Sequence, residues 1–170
     1  MAADRSTPDQ SPNVRLGPGD PAPAFDLPDQ DGKSIRLGDF AGRSVVVYFY
    51  PADDTPGCTK EACQFNDQLA AFSKAKVAIV GISPDAAAKH QSFRRKYELA
   101  FPLLTDSDRN VMGAYGAWGE KTMYGKKTVG VIRSTFLIGP DGRIVRSWYN
   151  VRADGHAAKV LAEIGSDQAG

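Results

Sequence analysis

The stretch YFYPADDTPGCTKEACQF, Tyr48 to Phe65, decides how this chain folds, and it carries the only two cysteines, Cys58 and Cys63. An apolar run from Ser44 to Tyr50 leads into it and has the length and β-branched content of a buried strand. Pro51 removes a backbone donor and ends that strand. Thr55-Pro56 then signals a helix start, with Thr55 at the N-cap and Pro56 at the first helical position. Cys58 therefore falls in the first helical turn, where free N–H groups and the positive end of the helix dipole favour negative charge. A cysteine so placed is expected as a thiolate, the nucleophilic form. The plain alternative is a pair of inert buried thiols. The polar, Gly- and Pro-containing approach Ala52 to Gly57 and a second thiol five residues on both speak against it.

Length and composition bound the rest. A chain of 170 residues, 42% hydrophobic and 24% charged, suits one globular domain with a sizeable core. The formal charge of +1 gives no field that would favour nucleic acid or an acidic membrane. The start, MAADRSTPDQSPNVRL, has no apolar stretch of the secretory kind and no Arg-rich, acid-poor character. No window is apolar enough for a membrane helix. Two cysteines without an export signal suggest redox or metal chemistry, not a disulfide scaffold, and a cytoplasmic protein.

Working outward, residues 1–14 are expected to be a disordered lead-in, and 15–165 a single domain. Phe25 to Leu27 and Ser34 to Leu37 alternate around Asp31-Gly32, which predicts a hairpin. Ala62, Phe65, Leu69 and Phe72 share one face of a helix running from Cys58 to about Ala75. Val77 to Ser83 predicts a second buried strand. Ser83-Pro84 repeats the cap-plus-proline signal and predicts a helix to about Leu99. A short strand follows at Phe101 to Thr105, then a short helix capped by Ser107 or Asp108 and ending near Tyr115. Gly116 to Gly130 is expected as a Gly- and Lys-rich loop. Arg133 to Ile138 and Arg143 to Tyr149 flank Pro140-Asp141-Gly142 as an antiparallel hairpin. Asp154 to Ile164 closes the chain as a helix, with a frayed tail. A β-α-β unit followed by β-β-α is the order of a thioredoxin-like α/β fold: a central mixed sheet flanked by helices, with an N-terminal hairpin extension and insertions.

With motif and order in place, the chain resembles a peroxiredoxin of the bacterioferritin comigratory protein or peroxiredoxin Q type. The active-site pattern of that family, proline, threonine four residues on and cysteine three further, is matched by Pro51, Thr55 and Cys58. Its distant arginine is matched by Arg133 in GVIRSTFLI, and WGEKTMYGKKTVGVIRSTFLIGPDG is similar to the subfamily throughout. The resemblance spans about Leu16 to Ile164. It implies a thiol peroxidase acting on hydrogen peroxide and organic hydroperoxides. Cys58 is then the peroxidatic cysteine and Cys63 the resolving one, a thioredoxin-like reductant recycles their disulfide, and no cofactor or metal is used. A monomer is expected, since the resolving thiol is on the same helix.

Elementary chemistry is consistent with that implication. Attack of a thiolate on a peroxide spreads charge from sulfur over two oxygens, so donors are needed on both. Arg133 offers a guanidinium, and Thr55 Oγ1 and the N–H groups of Cys58 and Gly57 offer more. Pro51, with no N–H, is expected to shield the thiolate from water. Glu61, one turn past Cys58, is placed either to orient Arg133 or to sit in solvent. Rival readings are a thioredoxin-like disulfide oxidoreductase, a zinc module on Cys58, Cys63, His90 and His156, and a binding module with incidental thiols. Four residues between the cysteines depart from the usual two of a disulfide reductase, and the zinc set lacks compact spacing. His90 is expected to pack or face solvent on its helix stripe, His156 to lie on the surface, and Lys121, Lys126 and Lys127 to be solvated. Trp118 and Tyr124 are candidates either to cover the substrate pocket or to pack in the core.

Overall fold

The structure is a computed structural model that describes residues 15–123 and 125–169; the expected lead-in therefore lies outside the described residues. The buried run forms β3 (Ser44–Phe49), the middle strand of a five-stranded sheet. It pairs in parallel with β4 (Val77–Ser83), which pairs in parallel with β5 (Leu103–Thr105). On its other side β3 pairs antiparallel with β8 (Ser134–Ile138), and β8 with β9 (Ile144–Tyr149). The predicted β-α-β and β-β-α order and the mixed sheet are both present. The hairpin β1 (Asp26–Pro28) and β2 (Ser34–Arg36) precedes them, followed by a 3-10 turn at Leu37–Phe40.

Because side chains alternate along a strand, β3 serves two cores. Val46 and Tyr48 face one side with Ala62, Phe65, Phe72, Phe93, Val160 and Ile164. Those residues come from α1 (Pro56–Asp67), α2 (Leu69–Lys74), α3 (Ala87–Tyr97) and α5 (His156–Ala169). Val45, Val47 and Phe49 face the other side with Phe25, Phe40, Phe136 and, from α4 (Asn110–Tyr115), Met112 and Tyr115. Tyr48 stands opposite Gly81 in the register, and a Cβ on Gly81 would lie 3.1 Å from the Tyr48 ring. The glycine leaves room for that ring to stack on Phe65 at 4.7 Å, which seats α1 on the sheet.

Four expectations need correction. Gly116 to Gly130 is not a loop: β6 (Trp118–Met123) and β7 (Lys126–Val131) form an antiparallel hairpin turning at Gly125, φ 79°. The alternation is hidden in sequence because a glycine, Gly119, takes a buried position while Val129 stands exposed. Tyr124 lies outside the described residues, while Trp118 packs against the second core with Arg109 over its ring. The third helix begins at Ala87, because Ser83 closes a turn with Asp85: its Oγ donates to Oδ2 and accepts from the Asp85 N–H. The helix expected from Cys58 to Ala75 breaks at Gln68 into α1 and α2. The last helix runs on to Ala169, past the expected end.

Candidate active site

The first turn of α1 stands at the carboxyl ends of the parallel strands β3 and β4, the crevice where α/β sheets place ligands. Thr55 is the N-cap residue in extended conformation and Pro56 opens the helix, as predicted. The Thr55 side chain makes no capping bond; its Oγ1 donates to the Ala52 carbonyl at 2.8 Å and closes the loop on itself. The first bond of the helix runs from the Thr59 N–H to the Thr55 carbonyl at 2.7 Å, and the N-cap side chain accepts from none of the N–H groups before it. Both cysteines are free thiols; Cys58 is buried and Cys63 half-buried.

Arg133 follows β7 and β8 begins at the next residue, so the end of the sheet carries its side chain over α1. Its Nη2 donates to Cys58 Sγ at 3.4 Å and its Nη1 donates to Glu61 Oε1 at 2.6 Å. Of the two placements open to Glu61, the buried one holds: its side chain has no exposure and fixes the guanidinium. Burial pushes the Glu61 carboxyl up, with Arg133 pulling against it, to about 7. Glu61 Oε2 and the Tyr48 hydroxyl, both buried, have no hydrogen-bond partner among the described residues. Burial first, then the charges of Glu61, Cys58 and Asp53, drive the Tyr48 phenol far above its usual range, so it stays neutral. Arg133 is also held above its ordinary value: Glu61 and Cys58 outweigh the cost of burial.

Gly57 lies against the same guanidinium, since a Cβ there would sit 3.2 Å from Arg133 Nη2. Pro51 is half-buried in the loop that leads to the helix. Cys63, one and a half turns on, has its thiol raised by burial and by Asp67. The structure thus groups Cys58, Arg133, Glu61 and Gly57 directly, and leaves Cys63 further along α1.

The two histidines contradict their expectations in part. His156 is buried, not on the surface: Nε2 shares a hydrogen bond with Thr135 Oγ1 at 2.8 Å, and the ring meets Trp148 and Phe65 edge-on. His90 is fully buried with both ring nitrogens engaged, by Asp53 Oδ2 and the Leu104 carbonyl. A zinc module on these histidines has no free imidazole at His90 to offer. Asp53 and His90 were missed as partners because 37 residues separate them and no local pattern links them. Lys121 is not simply solvated either, since its Nζ donates to the Val131 carbonyl at 2.8 Å.

A thioredoxin-type sheet with a buried helix-start cysteine held by an arginine defines a thiol enzyme, not a structural cysteine pair. The chain belongs to the AhpC/TSA family, whose model matches residues 18–147, and within it to the peroxiredoxins of the Bcp/PrxQ type, which makes it a thiol-dependent peroxidase. A Mycobacterium tuberculosis protein assigned to the peroxiredoxins is 57% identical over 151 residues, 89% of this chain and 96% of that one. Peroxiredoxin Bcp of Bacillus subtilis is 41% identical over 143 residues, 84% of this chain and 91% of its own. The solved Xanthomonas campestris bacterioferritin comigratory protein, described for alkyl peroxide reduction, superposes with a TM-score of 0.81 at 40% identity, covering 91% of this chain and 98% of its own. Among the described residues no helix is long and apolar enough to cross a membrane.

Proposed function

We propose that Cys58 is the peroxidatic residue and Cys63 the resolving one, with Arg133, Thr55 and Gly57 as the substrate-binding groups and Pro51 as a shield against water. The observation that carries this reading is the single guanidinium that touches both the Cys58 sulfur and the buried Glu61. The Cys58 thiolate attacks the terminal oxygen of hydrogen peroxide or an organic hydroperoxide. A sulfur–oxygen bond forms, the oxygen–oxygen bond breaks, and the departing hydroxide or alkoxide takes up a proton as water or alcohol. Arg133 and the first N–H groups of α1 face the oxygens on which charge grows. The Thr55 proton points to Ala52, so its hydroxyl oxygen is left to accept from the peroxide.

The sulfenic acid on Cys58 is then attacked by the Cys63 thiolate; a sulfur–sulfur bond forms, the sulfur–oxygen bond breaks, and the departing hydroxide takes up a proton as water. In a regular helix, residues five apart have Cα atoms roughly 8–9 Å apart and about 140° around the axis. A disulfide needs less than about 7 Å. The first turns of α1 therefore unwind for this step, which also exposes the disulfide to a dithiol reductant such as thioredoxin. One helix supplies both thiols, so a monomer completes the cycle, in a cytoplasmic setting that keeps thiols reduced.

The deciding experiment is intact mass and thiol titration after one equivalent of hydrogen peroxide. Wild type is expected to lose two hydrogens and both thiols. Cys63→Ser is expected to gain one oxygen, on Cys58, and to need an external thiol to turn over. Two titratable thiols surviving in wild type would overturn the reading.

A further inference from the structure

The side chains of Asp53 and Asp54, ahead of Cys58, are bonded away from its helix. Asp53, fully buried, accepts from the Tyr50 hydroxyl at Oδ1 and pairs with His90 Nδ1 at Oδ2, both at 2.5 Å. His90 Nε2 lies 3.1 Å from the Leu104 carbonyl. A carbonyl only accepts, so Nε2 carries a hydrogen, and Nδ1 and the Asp53 carboxyl share one further proton between them. The pair is neutral overall wherever that proton sits, which is why it can be buried without a counter-ion. The Asp53 N–H donates to Asp85 Oδ2 at 2.7 Å, and that oxygen is held by Ser83 Oγ at 2.8 Å. Asp54, in the left-handed region at φ 60°, is tied to Lys96 Nζ and Tyr97 Oη, each at 3.0 Å. Asp53, Asp85 and His90 bring metal-type ligand atoms within 4.8 Å of one another. Both His90 nitrogens and both Asp53 oxygens are already engaged, however, so the cluster is an anchor and not an ion site.

We infer that Asp53 and His90 are positioning residues of the peroxidase cycle, clamping the loop 51–55 onto α3 while the first turns of α1 open and close. The inference rests on the proposed cycle, in which α1 must unwind. Every side-chain bond of Asp53 and Asp54 given above runs to Tyr50 or α3, the Asp53 N–H runs to Asp85 just past β4, and none of these reaches α1. Unwinding α1 therefore leaves the loop in place. Thr55, the N-cap, keeps its position as the helix gives way behind it, and after reduction α1 rewinds from that fixed start. A buried carboxyl–imidazole pair suits this task better than a surface ion pair. Its partners cannot be exchanged for water without bringing the loop out of the core.

The test separates peroxide chemistry from general thiol chemistry. The second-order rate of Cys58 oxidation by hydrogen peroxide and its alkylation rate by iodoacetamide are measured side by side. His90→Leu is expected to slow oxidation about 10- to 100-fold, as misplaced reacting groups do, and to leave alkylation at the wild-type rate. His90→Asn, whose amide N–H can stand where Nδ1 does, is expected to recover most of the oxidation rate. Should His90→Leu not fold, Asp53→Asn carries the same comparison. Wild-type oxidation in the variants, or an equal slowing of both reactions with no recovery by Asn, overturns the inference. A downfield imidazole N–H proton resonance, assigned by its loss in His90→Asn, is expected in both thiol and disulfide forms; its disappearance on disulfide formation also overturns the clamp. If wild-type Cys58 itself is not oxidised, the proposed function fails instead.

Discussion

The Arg133 guanidinium stands 3.4 Å from the Cys58 sulfur. It is held there from behind by a carboxylate with no exposure, Glu61, one turn along the same helix as the cysteine. The peroxide site is thus a helix start closed by an arginine, and the arginine is aimed by the helix it closes. Any movement of α1 that frees Cys58 also removes Glu61 from Arg133.

Replacing Arg133 tests the electrostatic core of the site. Arg133→Gln is expected to slow oxidation of Cys58 about 100- to 1000-fold, the usual cost of losing a donor to developing charge. Arg133→Lys restores little, because one ammonium cannot reach Glu61 and Cys58 in the same planar fork. Stopped-flow tryptophan fluorescence against peroxide concentration measures both. A lysine variant at wild-type rate would show that charge alone suffices.

Gly57 lies directly against the guanidinium. In Gly57→Ala the new methyl meets Arg133 Nη2 at 3.2 Å, so the arginine must shift by a few tenths of an ångström. Oxidation is expected to slow by about three- to tenfold, in keeping with the sensitivity of reacting geometry. The melting temperature should change little, since Gly57 does not need a positive φ.

Hydrogen exchange addresses the conformational step. Amides from Thr59 to Asn66 are expected to be protected in the dithiol form and to lose protection in the disulfide form. Amides of β3 and β4 should be unchanged, being interior to the sheet. Equal protection of α1 in both forms would mean that the thiols meet some other way.

His156 makes stability depend on acid. Burial first, then the charges of Lys159 and Arg133, lower its pKa to about 4. Unfolded, the ring titrates near 6.5, so between pH 6.5 and 4 the unfolded chain binds a proton that the native one refuses. Its contribution is full above pH 6.5 and fades by up to about 3 kcal/mol as pH falls to 4. Glu61 acts in the opposite sense, because a buried carboxyl raised to about 7 favours the fold most at low pH and loses that as pH rises. The comparison is therefore between wild type and His156→Gln, which can keep the bond to Thr135. Denaturant midpoints of the two should converge as pH falls from 6.5 to 4; parallel curves would contradict the buried ring.

Local sequence already determined much of this protein. The apolar run into Pro51, the Thr55-Pro56 signal and the spacing of Cys58 and Cys63 placed a cysteine at a helix start, because strand endings and helix starts depend on a few adjacent residues. The β-α-β order followed from periodicity, which is likewise local. At β6 and β7 a buried glycine, Gly119, and an exposed Val129 break that periodicity, and the hairpin is not legible in the sequence.

Tertiary structure decided what lies around the sulfur. Whether Glu61 faces Arg133 or solvent depends on where the chain carries Arg133, 72 residues later and just ahead of β8. The pairing of Asp53 with His90, and of His156 with Thr135, depends on how α3 and α5 pack on the sheet. Burial and long-range hydrogen bonds set the charge state and orientation of these groups, and neither is a property of a short stretch of residues.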